Sequence, residues 1–244
     1  MVVAVLCTMA VMYRPRKALR GALLMYCTNN IRYDWPRFSI DINQRYARRH
    51  NYEFVLVTEP YDVSSTFYWQ KIPLLLRQLD RGVDFVVYMD ADSVINKPEL
   101  RYERILEKYP GDLILCSDAA NSDGKYAVNT GLVIVRNTPA AKKLLTQWWG
   151  LRNSYPDFAF EQFALSDIVR GKYPAIDGGI ISVAPETTFN SVYGEMMAYI
   201  NNATPRPDHF VLHFMATDSP TRERMLSALH RELMQGHRGI GKKK

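Results

Sequence analysis

Short apolar runs alternate with amphipathic stretches along the chain, the pattern of an α/β fold. Residues 22–28 (ALLMYCT) read as a buried strand that stops at the turn signal Asn29-Asn30. Asp34 is placed to cap a helix with Pro36 in its first turn, and Phe38, Ile42 and Tyr46 then recur at helical spacing. Residues 52–58 (YEFVLVT) predict a second strand. A helix follows over 69–79, with Ile72, Leu75, Leu76 and Leu79 on one side, Pro73 in the first turn and Gly82 past the end. Residues 84–90 (DFVVYMD) predict a third strand. Further strands are expected at 113–116, 128–136, 180–183 and 209–214, and further helices at 139–149, 160–169 and 221–234.

The order βαβαβ over the first 90 residues predicts a parallel, right-handed, Rossmann-like half. Such sheets bind ligands outside the carboxyl ends of their strands, which directs attention to residues 28–30, Thr58 and Asp90–Asp92. An Asp-x-Asp pair alone carries no information. With 15 aspartates in 244 residues, about 0.9 such pairs arise by chance. Its setting carries more, because five apolar residues lead into Asp90 and the spacing puts both carboxylates on one side of an extended chain. Two carboxylates held together repel unless a cation sits between them, and hard divalent ions bridge carboxylates to phosphates. The competing reading is a solvated turn or a helix-cap pair.

Charge sharpens this picture. The 31 basic and 25 acidic side chains give a net +6, which invites a nucleic-acid partner. Residues 1–50 carry 9 basic and 2 acidic groups, residues 206–244 carry 8 and 4, and residues 51–205 carry 14 and 19. The basic excess therefore belongs to the two ends, and the acidic body argues against nucleic-acid binding. Three widely spaced cysteines support neither a disulfide framework nor a zinc ribbon. We divide the chain into an apolar and basic extension (1–20), one domain (21–236) and a basic tail (237–244). The apolar run at residues 1–13 is short for a membrane span, and its charges follow it, opposite to a signal peptide. Membrane association through the N-terminus is one expectation. The compartment is then the Golgi membrane or lumen if this is a truncated signal-anchor, and the cytoplasm otherwise.

An ordered set of segments resembles the nucleotide-sugar glycosyltransferases of the GT-A fold, a single domain with a mostly parallel central sheet flanked by helices. The segments are Tyr46-Ala47 with His50-Asn51-Tyr52, Trp69-Gln70-Lys71-Ile72-Pro73, Val87 to Asp92, Asn129-Thr130-Gly131-Leu132 through Arg136-Asn137, Trp148, Glu161-Gln162, and Val211-Leu212-His213-Phe214. They look most like the retaining galactosyl/mannosyl/xylosyl transferase group. The resemblance implies a nucleotide-diphosphate sugar as donor, a glycan or other hydroxyl acceptor, and Mn²⁺ or Mg²⁺ held by Asp90, Asp92 and His213. An imidazole ligand favours Mn²⁺. His209 and His213 share a strand face, and the His-Phe motif favours His213.

Asn129 and Gly131 would line the donor sugar, the glycine letting a ligand approach the backbone. Gln162 would lie near the reacting carbon with Glu161 beside it; the alternative is a helix-surface pair. Lys71 would sit near the donor, against the alternative of a solvated lysine. Thr28 and Asn29 would border the base. The family's HFxG glycine and nearby lysine are missing from His213-Phe214-Met215-Ala216, so Arg222 or Arg224 is expected to meet the diphosphate instead. Retention needs no protein base, whereas inversion would call on Glu161 or Asp118. The competing functions are a dehalogenase-type phosphatase built on Asp90 and Asp92, and a sugar-nucleotide-binding protein without catalysis.

Overall fold

A computed structural model describes residues 18–28, 33–118, 128–155, 160–192, 209–215 and 217–236. Strands β1 (Gly21–Tyr26), β2 (Glu53–Val57), β3 (Phe85–Asp90), β5 (Leu113–Cys116), β6 (Asn129–Arg136) and β7 (Ile181–Ala184) form one sheet in the order β2-β1-β3-β6-β5-β7. The pairs β1–β2, β1–β3 and β5–β7 are parallel, whereas β3–β6 and β5–β6 are antiparallel. Only β6 runs against its neighbours, so the expected mostly parallel α/β sheet is what forms. A second, three-stranded sheet joins β4 (Ser93–Ile95), β9 (Val211–His213) and β8 (Ser191–Val192). None of the described helices is long and apolar enough to cross a membrane.

Alternation along the central strands splits the core in two. Leu23, Met25, Val87, Met89, Leu132 and Ile134 pack with helix α1 (Trp35–His50), helix α3 (Glu103–Lys108) and the small sheet. Leu24, Tyr26, Val86, Tyr88, Val133 and Val135 pack against helices α2 (Lys71–Asp80), α4 (Pro139–Gly150) and α5 (Phe160–Val169). A closing helix, α6 (Ser219–Gly236), adds Leu226 to the first cluster. The ladder of β5 against β6 has one irregularity. Leu115 pairs with Val133, but the next residue, Cys116, pairs with Asn129.

The helix ends follow the local signals. Asn51 adopts φ +58° and stops α1, Gly82 adopts φ +83° just past α2, and Thr138 accepts the Ala141 N–H to cap α4. Asp34 departs from expectation: its side chain caps no N–H and instead lies 3.3 Å from Arg37. Strands β4 and β8 and helix α3 went unpredicted, being too short to show a period.

Candidate active site

At the carboxyl ends of β1 and β3, the first residues of β6 and the start of α5 enclose a cavity of about 460 Å³. β6 runs antiparallel, so its N-terminal residues Asn129, Thr130 and Gly131 arrive at the same edge as Tyr26 and Asp90.

The Asp90-Ala91-Asp92 turn is pinned from behind by α1. Ser39 Oγ donates to the Ala91 carbonyl at 2.6 Å, and buried Asn43 bridges the Ser93 carbonyl and the Ile95 N–H at 2.8 and 3.0 Å. The Phe214 N–H donates to the Asp92 carbonyl at 2.9 Å, tying the turn to β9. Neither Ser39 nor Asn43 stood out in the sequence. Their signal was two polar residues four apart on the apolar stripe of α1.

Asp90, Asp92 and His213 each offer a ligand atom within 4.8 Å of the others. His213 Nε2 lies 3.3 Å from Asp92 Oδ1 and 3.9 Å from Asp90 Oδ2. The far side of the imidazole is held by a relay of amides. The Gly131 N–H must donate, which assigns Asn129 Oδ1 as its acceptor at 2.9 Å. That oxygen also accepts from Asn190 Nδ2 at 2.7 Å, so Asn190 Oδ1 faces His213 Nδ1 at 3.1 Å and Nδ1 carries the proton. Nε2 is thereby presented to the carboxylates, as metal-binding histidines require. This set of two carboxylates and an imidazole fits a divalent metal ion. His209 precedes β9, does not line the cavity, and uses its carbonyl to accept from Asn96 at 2.8 Å.

Gly131 lines the cavity and also abuts His213. A Cβ there would stand 2.1 Å from His213 Cε1. The missing side chain makes room for the imidazole.

Two cations flank the aspartate pair. Lys71 is buried, bonded to Glu161 Oε1 at 2.9 Å and to the Thr130 carbonyl at 3.0 Å, and lies 3.6 Å from Asp90 Oδ1. This removes the reading of Lys71 as a solvated side chain. Burial opposes its charge, but Asp90 and Glu161 outweigh burial and raise its pKa. On the other side Arg222 sits over the Trp35 ring at 4.7 Å, donates twice to the Phe214 carbonyl, and reaches Asp92 Oδ2 at 3.2 Å. Arg224 reaches Thr221 and does not line the cavity.

The two aspartates diverge. Burial raises the Asp90 carboxyl, and Lys71 and His213 only partly offset it. Burial also acts on Asp92, but His213 and then Arg222 hold it below the usual carboxylate range. Those carboxylates in turn lift His213, against the effect of its own burial.

Glu161 and Gln162 do not form a helix-surface pair. Glu161 is 2% exposed; its Oε1 accepts from Lys71 and Thr130, while Oε2 has no hydrogen-bond partner among the described residues. Gln162 Oε1 accepts from the Thr130 N–H at 3.0 Å, and its Nε2 donates to Asp118 at 2.8 Å. Thr28 lines the cavity and also a shallower depression of about 240 Å³ shared with Cys27, Tyr33 and Thr58. Asn29 lies outside the described residues, as do the terminal segments 1–17 and 237–244 and Ala216.

No curated protein matches this chain. Among solved structures, it resembles a glycosyltransferase involved in glycosylating the major capsid of the virus PBCV-1, at TM-score 0.67 and 18% identity over 86% of this chain and 99% of that one. It also resembles the glycosyltransferase GlyE of Streptococcus pneumoniae TIGR4, at TM-score 0.57 and 12% identity over 90% of this chain and 64% of that one. At such identities the likeness concerns the fold. The family profile described as nucleotide-diphospho-sugar transferase matches residues 47–225, a span that takes in the aspartate pair, His213 and Arg222, and the chain belongs to that family.

Proposed function

We propose that this protein transfers a hexose or pentose from a nucleotide-diphosphate sugar to a glycan or other hydroxyl acceptor, with retention and with Mn²⁺ bound, as in the galactosyl/mannosyl/xylosyl group it resembles. The observation that carries this reading is the convergence of Asp90, Asp92 and His213 on the cavity, in a chain of nucleotide-sugar transferase ancestry. When bound, the ion supplies Lewis-acid stabilisation of the leaving diphosphate.

The chain's own residues do the rest. Asp90 and Asp92 hold the ion, and the amide relay fixes His213. Arg222 offers a fixed guanidinium beside Asp92 and, in a chain without the family's lysine, meets the diphosphate. Lys71 holds Glu161 in place beside the sugar, and Gln162 is locked so that its amide orients rather than accepts a proton. Thr28 borders the base. A protein base is not needed where the departing phosphate takes the acceptor's proton. The phosphatase alternative calls for the aspartate pair after the first strand, whereas here it follows the third.

Mixing the protein with UDP-glucose, UDP-galactose, UDP-xylose and GDP-mannose in Mn²⁺, and following nucleotide release, tests the reading. Asp92→Asn is expected to lower release at least about a hundredfold with the fold intact by circular dichroism. Phosphate release from a phosphomonoester that Asp90→Asn abolishes would support the phosphatase, and tight nucleotide binding without turnover would support the binding protein.

A further inference from the structure

Each aspartate of the pair has a cation of its own, and the two cations are not equivalent. Lys71 is shared between two carboxylates. Its Nζ bonds Glu161 Oε1 at 2.9 Å and stands 3.6 Å from Asp90 Oδ1, where the Tyr88 hydroxyl also donates at 2.9 Å. Lys71 and Glu161 cancel one another. Arg222 has no second carboxylate within ion-pair distance among the described residues. Its Nη2 lies 3.2 Å from Asp92 Oδ2, and its other contacts are neutral: the Phe214 carbonyl, to which Nη2 and Nε donate at 3.0 and 3.2 Å, and the Trp35 ring.

Asp92 therefore divides its carboxylate. Oδ1 faces His213 Nε2 at 3.3 Å, and Oδ2 faces the guanidinium. An ion held by Asp92 shares that carboxylate with a fixed positive charge. The guanidinium does not step aside cheaply, because Phe214 and Trp35 hold it on its other sides. The side chains of Arg222 and Asp92 are each only 14% exposed, so salt screens this repulsion weakly. With His213 neutral, the uncancelled charges lining the cavity are Asp90, Asp92 and Arg222, which leave one negative charge in excess. A divalent ion alone turns that excess positive. Diphosphate oxygens meet both the ion and the guanidinium, and so relieve the repulsion between them.

We propose that Arg222, held on Trp35, makes ion and nucleotide binding mutually dependent: it opposes the ion alone and favours the ion with a diphosphate, so that the two enter and leave together. This rests on the transferase reading and adds to it the residue that sets the order of binding. The test follows Mn²⁺ binding by electron paramagnetic resonance at fixed ionic strength, alone and with UDP, GDP or inorganic pyrophosphate, corrected for the Mn²⁺ each binds in solution. The proteins compared are the parent, the neutral variants Arg222→Gln and Arg222→Met, and Arg222→Lys, with folding read by circular dichroism. In the parent, one of the nucleotides is expected to tighten Mn²⁺ at least about tenfold. The neutral variants are expected to move the two measurements in opposite directions, with Mn²⁺ alone about five- to tenfold tighter and Mn²⁺ with nucleotide weaker. A residue that merely props Asp92 has the reverse sign, since its loss loosens Asp92 and weakens Mn²⁺ alone. Arg222→Lys keeps the charge and is expected to keep Mn²⁺ alone weak. Mn²⁺ alone that is unchanged or weaker in both neutral variants, or no Mn²⁺ binding in any of the proteins, overturns the proposal. Nucleotide that tightens Mn²⁺ equally in the parent and the neutral variants overturns the proposal and leaves the transferase reading standing. Absence of tightening by either nucleotide or pyrophosphate in the parent defeats the transferase reading, and the proposal with it.

Discussion

The two sheets of this protein contribute to one site in unlike ways. The six-stranded sheet has strands of four to eight residues, largely buried and apolar, and it carries Asp90, Thr130 and the ion pairs around Lys71. The three-stranded sheet has strands of two or three residues, yet it carries His213 and stands next to the amide relay that aims it. In the first, chemistry and folding stability are entangled, because a buried Lys71–Glu161 pair is costly to break. In the second they are nearly separable, because the relay is made of neutral amides that orient one ring.

The largest effect should come from the first sheet. Lys71→Met leaves Glu161 buried and unpaired and is expected to cost about 3–5 kcal/mol, read as a shift of the urea midpoint. Adding Glu161→Gln should recover most of it, and a double-mutant cycle without coupling would show that the pair is not what it seems. Gly131→Ala tests the junction. Its methyl must displace the imidazole, so a loss of about 1–3 kcal/mol is expected together with weaker Mn²⁺ binding by electron paramagnetic resonance. The smallest change in stability belongs to the second sheet's relay. Asn190→Ala should weaken Mn²⁺ binding about 10- to 100-fold while moving the melting temperature far less than Lys71→Met does. If the melting temperature falls as far as with Lys71→Met, the proposed separation between the sheets fails.

The same division explains what could be read from sequence. The large sheet announces itself, since FVVYM and LVIV are runs that only a doubly covered strand tolerates, and every central strand was anticipated within a few residues. β4 and β8 have no period to detect, so of the small sheet only the strand that ends in the His213-Phe214 motif was expected. Residues that touch the site were legible when they carried charge or a motif, as Asp90, Asp92, Lys71 and His213 did. Those that aim them were not: Ser39, Asn43 and Asn190 are common polar residues, and only a three-dimensional list of partners distinguishes them from a solvated face. At Gly131 a sequence shows that a side chain is missing but not that the His213 ring takes up its place.

The pairing irregularity between Leu115 and Cys116 has a consequence for how such a site can change. In an unbroken strand Gly131 would share a face with Val133 and Val135, which pack toward α2, α4 and α5. Instead it abuts His213, which the other side of the molecule supplies. The extra residues of β6 uncouple the strand's opening from the alternation that binds the rest of it. Trimming them to perfect the ladder would leave a more regular sheet with no place for the imidazole. Lengthening or re-aiming them is the step by which this scaffold could acquire a different active-site geometry while keeping its core.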